Sequence, residues 1–214
     1  MTGSSPAALS VLTLRETARP PTTGTGYRRR GERVPRLRQP PPHLDLLVDG
    51  VPLQRLLVEL PVPEPGTYGF GDTFDLVSVA DLAHPGYAAG DLRRLAGELP
   101  PDDELWPLEP GRLPLYVCPI DGDLACGAVT VAVHHDATTT TWSGFRLQNG
   151  YSDDELGLDL SALGPFVFAR DAHRDVLLRA ADDLDALEAE DRAAEEAHRR
   201  EHGPRGRWRR LTGR

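Results

Sequence analysis

Hydrophobic and polar positions follow clear periods only in the middle of the chain. Leu44, Leu46 and Val48 alternate with His43, Asp45 and Leu47, which predicts a strand. Asp49-Gly50 then signals a tight turn. Pro52 stands where a first helical residue tolerates a missing N–H. Leu53, Leu56, Leu57 and Leu60 follow at helical spacing, so a short helix is expected to about Leu60, where Pro61, Pro63 and Pro65 end it. A second strand is expected over Thr73 to Val79, after the glycine-rich run from Gly66 to Gly71. His84-Pro85 opens a helix carrying Tyr87, Leu92, Leu95 and Leu99, stopped by Pro100-Pro101. Gly86, Gly90 and Gly97 weaken it by about 1 kcal/mol each relative to alanine.

The clearest pattern comes next. Leu113 to Cys118, Ala125 to His134 and Thr138 to Phe145 read as a three-stranded antiparallel meander. Val129, Val131 and Val133 alternate with Thr130, Ala132 and His134. Thr138 to Thr141 followed by Trp142 is β-branched and then aromatic, as strands prefer. From about Asp171 the period changes to that of a helix, with Val176, Leu177, Ala180, Leu184 and Leu187 in one stripe that should pack on the sheet. Between Leu187 and Ala197 alanine is the only apolar residue, so this half is expected to project into solvent or fray.

The expected architecture is α+β: an antiparallel β-meander or sheet of four or five strands, with the long C-terminal helix packed on one face. The flanks differ in kind. Residues 1–41 read as a disordered Arg/Pro-rich tail, in which Val11 to Glu16 is at most a transient helix or strand. Residues 42–187 read as the single domain. Residues 188–214 read as a solvent-exposed acidic helix end followed by a basic disordered tail.

Charge sharpens this division. The 214 residues carry net −9, and all 24 basic residues are arginine. Before Pro41 eight arginines face two glutamates, giving +6. From Arg199 onward seven arginines face Glu201, again +6, which leaves −21 for the middle. Such asymmetry marks either ends that meet an anionic partner or ends that lie on the chain's own acidic surface. The absence of lysine and the single methionine point to a GC-rich genome. Two cysteines do not make a disulfide-rich secreted scaffold. No run approaches the roughly 18 apolar residues of a membrane span, and no signal-peptide pattern appears, so the expected location is the cytoplasm.

Two segments carry a resemblance. One is Val117-Cys118-Pro119 through Gly122-Asp123 to Cys126-Gly127-Ala128-Val129-Thr130. The other holds Trp142, Phe145, Asn149 and Tyr151, then Leu163-Gly164-Pro165-Phe166 ahead of a helix. Together they resemble a family of uncharacterised actinobacterial proteins, sometimes labelled oxidoreductases, over roughly Pro42 to Ala180. The resemblance implies the architecture above and almost no function. Where this chain has Asp121 the family pattern has a further cysteine, a departure that weakens any zinc reading taken from the family.

The sharpest candidate chemistry is the pair Cys118 and Cys126 around Asp121-Gly122-Asp123. In a hairpin symmetric about Gly122 the two would oppose each other, with Cβ atoms about 4.5–5.5 Å apart, near the roughly 3.5–4.5 Å of a disulfide. Three readings stay open: inert buried side chains, a redox pair whose flanking aspartates raise the thiol pKa, or part of a metal site. Zinc needs further ligands. His134 lies roughly 26 Å along a straight strand from Cys126, so only His84 or His173 remains for that role. Asp121-Gly122-Asp123 and Asp153-Asp154-Glu155 do not complete a calcium loop. Gly66 to Gly71 is not a phosphate loop, and no nucleophile elbow is present. Trp142, Phe145, Tyr151, Phe166 and Phe168 read as core. Arg28, Arg29 and Arg30, with Arg207, Trp208, Arg209 and Arg210, form candidate anion-binding ends, Trp208 being able to stack on a base.

The motif-poor pattern favours a non-enzymatic binding or interaction protein without a cofactor. The alternatives are a thiol redox protein using Cys118 and Cys126, and an accessory factor touching nucleic acid through its arginine-rich ends.

Overall fold

The computed structural model describes residues 8–18, 22–27, 33–38, 42–60, 77–82, 84–101, 108–117, 124, 127–148 and 158–202, with only the backbone in 22–27 and 33–38. The elements run β1 (Leu12–Thr17), β2 (Thr22–Tyr27), β3 (Arg33–Arg38), β4 (His43–Val48), β5 (Val51–Pro52), α1 (Leu53–Val58) and β6 (Val77–Ser78). Then come α2 (Pro85–Leu95), β7 (Arg112–Val117), β8 (Ala128–His135), β9 (Thr139–Gln148), β10 (Leu158–Asp159), β11 (Phe166–Ala169) and α3 (Arg170–His202).

The α+β class, the antiparallel meander and the packed C-terminal helix are all present. The meander is β7–β8–β9, at the centre of a six-stranded sheet in which β6 pairs β7 while β10 and β11 both pair β9. This exceeds the four or five strands expected, because short β10 and β11 borrow the far edge of the ten-residue β9. Of the strand expected over Thr73 to Val79, β6 covers Val77–Ser78, and residues 71–76 lie outside the described residues.

A second sheet, β1–β4–β5, corrects the expectation for residues 12–17, part of the stretch read as a disordered tail. β1 is a strand of the folded part, antiparallel to β4 from Leu12↔Val48 to Thr17↔His43, and Leu12 is buried in the core. Backbone bonds join the two sheets at both margins. Leu44 N–H donates to the Ala80 carbonyl at 2.9 Å, next to a His43↔Asp81 bridge. Ser10 N–H donates to the Val167 carbonyl at 2.7 Å, in a parallel bridge to β11. β1, β4, the β6 segment, β7, β8, β9 and β11 therefore close into a ring, which leaves few unpaired strand edges.

Asp45, on the side of β4 expected to be polar, is buried because the Tyr116 hydroxyl of β7 donates to its Oδ1 at 2.9 Å. Burial, and then Asp45, push the Tyr116 pKa well above its ordinary value. The phenol thus remains a neutral donor joining two strands that are not neighbours.

β2 and β3 pair from Thr22↔Arg38 to Tyr27↔Arg33. Their register continues that of β1 and β4. From Thr17↔His43 to Thr22↔Arg38 each side advances by five residues. Both ladders thus share one antiparallel register, that of a two-stranded ribbon.

α2 and α3 pack on each other, and α3 also contacts β1, β9 and β11. α2 ends at Gly97, whose φ of +72° suits glycine at the position after a helix cap. A Cβ there would stand 2.7 Å from His135 Nε2, so the helix end lies directly on β8. At the other end of α2, a Cβ on Gly86 would meet Glu188 Oε2 at 1.8 Å. The Glu188 carboxylate therefore lies against the α2 N-terminus, where the helix dipole favours a negative charge. Arg93 of α2 reaches both Asp182 and Asp185 of α3 at 2.8 Å.

Candidate functional site

Cys118, Cys126, Asp121, Arg28, Arg29, Arg30, Arg207, Trp208, Arg209 and Arg210 are all outside the described residues, as are Asp153, Asp154, Glu155 and Tyr151. The β7–β8 ladder ends with Val117 opposite Ala128. A hairpin symmetric about Gly122 needs Val117 opposite Gly127, so the observed register is offset by one residue.

His84 and His173 do not meet. His84 is an exposed N-cap of α2, 3.7 Å from Asp81. His173 is buried on α3, its ring 5.5 Å from Trp142, 5.3 Å from Phe168 and 6.2 Å from His135. Neither His173 ring nitrogen has a hydrogen-bond partner. Burial, then His135, lower its pKa to about 3, so it is a neutral core residue at physiological pH. His135 is also lowered, by burial and then Arg170 and His134. Its Nδ1 is 2.9 Å from Thr140 Oγ1. Trp142, Phe145 and Phe168 are fully buried, as expected of core, and Phe166 packs partly buried against Phe145.

Sequence reasoning missed a polar cluster on the outer side of the meander. Thr130 lies between two register irregularities, one on β7 between Pro114 and Tyr116 and one on β9 beside Gly144, whose φ is +58°. Arg112 fills the space they open, with only 10% of its side chain exposed. Its Nε donates to Thr130 Oγ1 at 2.9 Å, and its Nη2 donates to the carbonyls of Thr130 (3.2 Å) and Gly144. Thr130 Oγ1 passes the polarity on by donating to Gln148 Oε1 at 2.7 Å. Glu109 pairs with Arg146 at 2.7 Å and stands 3.9 Å from Arg112. Burial lowers the Arg112 pKa, with Glu109 opposing and Arg146 adding to the shift. So strong a base stays charged regardless. These bonds hold the bulged strands in shape.

The remaining candidate is the outer part of α3. Leu177, Ala181 and Leu184 are buried, Leu187 is 43% exposed, and every residue from Ala189 to His202 is exposed. A helix polar on all sides needs local support. Here Arg192, Arg199 and Arg200 each pair with a glutamate four residues earlier: Glu188, Glu195 and Glu196. Glutamate on the N-terminal side is the favourable orientation. Asp183, Glu190 and Asp191 form no ion pair among the described residues. With Leu187 and Ala194 they share one side of the helix by its period.

Among the described residues no group of three His, Cys, Asp or Glu is placed to hold a metal ion, and no helix is long and apolar enough to cross a membrane. No protein-family model, curated protein or solved structure matches the chain.

Proposed function

We propose that this is a binding protein without catalytic chemistry of its own, and that the outer part of α3 is its docking surface. The observation that supports this is the fourteen-residue stretch Ala189–His202, helical and exposed on every side. At 1.5 Å per residue it reaches roughly 21 Å beyond the packed part of the helix. The body does not need it for its core, which is complete at Leu184. The side bearing Asp183, Leu187, Glu190, Asp191 and Ala194 offers carboxylates around one exposed leucine, which fits a protein surface rich in arginine or lysine with an apolar contact at its centre.

Two shortened chains test this reading. One ends at His202 and removes only the basic end. The other also ends at His202 and carries Leu187→Ala, Glu190→Arg and Asp191→Arg, which alter the docking side while keeping the Glu188–Arg192 pair and the Glu188 carboxylate at α2. A partner captured by the full chain, and then purified, is expected to bind the first and lose at least tenfold affinity for the second, with thermal unfolding of the body unchanged. Equal affinity for both would overturn the assignment of α3.

A further inference from the structure

His198 and His202 stand one helical turn apart near the end of α3, and both are exposed. Residues at i and i+4 lie on the same side of a helix. Two histidines at that spacing are an arrangement with which helices hold zinc. Here the rings already lie together, with centroids 4.3 Å apart and planes 23° from parallel. Two nitrogens that each sit about 2.0–2.1 Å from one tetrahedral ion are roughly 3.3 Å from each other. Rings stacked this closely need only a small tilt to bring two nitrogens to that separation.

The hydrogen bonding of the pair suits a ligand role. His202 Nδ1 lies 3.3 Å from the His198 carbonyl oxygen. A carbonyl can only accept, so Nδ1 carries the hydrogen and the lone pair of the neutral ring is on Nε2. Metal-binding histidines commonly donate their second nitrogen to a carbonyl in this way, which fixes the tautomer and the ring direction. Around the pair, Glu195, Glu196 and Glu201 outnumber Arg199 and Arg200, and both arginines are held by glutamates four residues earlier. A cation therefore meets no net positive charge there. His135 and His173 make a contrast. Their centroids are 6.2 Å apart, and the His173 nitrogens are closed off from solvent.

We propose that His198 and His202 form a two-histidine chelate for a borderline divalent cation, Zn²⁺ or Cu²⁺. Imidazole suits these ions, whereas Mg²⁺ and Ca²⁺ take oxygen ligands. No third His, Cys, Asp or Glu is grouped with the pair among the described residues. The pair thus supplies two ligands, and the other positions on the ion stay open to water or to a donor from another molecule. A bound ion joins two successive turns and fastens the end of a helix that is exposed on every side. The site stands whether or not this part of α3 is a docking surface.

Titration calorimetry of the full chain with Zn²⁺ and with Cu²⁺ tests this, beside two variants that change only exposed residues. His198→Ala, His202→Ala removes both ligands. Arg200→His, His202→Ala keeps the number of histidines but sets the second about 200° around the helix from the first, out of chelating reach. The wild type is expected to bind one ion that both variants bind at least tenfold more weakly, with Cu²⁺ held tighter than Zn²⁺. An ion held elsewhere, at the cysteines or at another histidine, would be bound alike by all three chains, and equal binding overturns the proposal. If Arg200→His, His202→Ala binds as tightly as the wild type, the histidines act singly and the chelate is wrong. Saturating Zn²⁺ should also slow amide hydrogen exchange over residues 195–202 of the wild type and of neither variant. Unchanged exchange in the wild type would show that no ion bridges the turn and would equally overturn the site.

Discussion

His173 shows how burial sets the properties of a single side chain. Its ring is enclosed by Trp142, Phe168 and His135, with both nitrogens unpaired. Such a ring resists protonation in the folded state but not in the unfolded chain. Between the ordinary value of 6.5 and about 3, the unfolded state therefore binds a proton that the native state refuses. Stability from this residue is complete above pH 6.5 and falls as the pH drops through that window, at up to about 1.4 kcal/mol per pH unit. Below about pH 3 both states are protonated and the loss levels off. His173→Leu, which keeps the apolar contacts, should be neutral or stabilising by about 1 kcal/mol at pH 7. Urea unfolding of the two proteins from pH 7 to 4 should show the wild type losing stability faster. Parallel curves would mean that His173 finds a partner when protonated. The sequence marked His173 only as a possible ligand. Its role depends on β8, β9 and β11 meeting α3, which no local spacing reveals.

At the scale of elements, the two bulges around Thr130 carry the clearest consequence. They turn two backbone carbonyls and one hydroxyl toward Arg112, and only a planar fork of donors satisfies all three. Arg112→Ala should cost about 2–4 kcal/mol, because buried acceptors lose their donor. Arg112→Lys should recover less than half of this, since one ammonium cannot span the same acceptors. Denaturant unfolding with an unchanged slope would confirm the loss as one of native stability. The meander itself was legible. Val129, Val131 and Val133 alternate, and Thr138 to Trp142 has strand composition, so β8 and β9 were expected close to where they lie. The cluster was not legible, because it depends on Arg112 and Arg146, two strands apart, being brought together across irregular registers. α2 and α3 were readable from their leucines, yet β1 was not. Its six residues hold only Leu12 and Leu14 as apolar anchors, between stretches rich in serine, threonine and proline, and its partner β4 lies some thirty residues away.

For the whole molecule, the start of the folded part matters most. A chain cut at Pro42, where the hydrophobic pattern begins, would retain β4 but lose β1 and the Ser10–Val167 link that closes the ring. It would expose the β4 edge and uncover core around Leu46 and Val48. Removing buried Leu12 alone is worth about 2–5 kcal/mol, a large share of a small domain's stability. The shortened chain should therefore unfold at a much lower denaturant concentration and aggregate through the freed edge. A chain starting at Ala8 should match the full-length protein. Light scattering and urea midpoints on the two chains decide the point, and equal midpoints would show that the ring stands without β1.

The shared register of β1–β4 and β2–β3 also makes the ribbon adjustable. Every strand position on one side has a fixed mate on the other, so taking one residue from each side shortens the hairpin while the pairs nearer the body remain matched. Taking one residue from a single side instead leaves the other strand with an unmatched residue, which only a bulge can absorb. Matched changes in length therefore alter reach alone, whereas an unmatched one breaks the pairing that both ladders share.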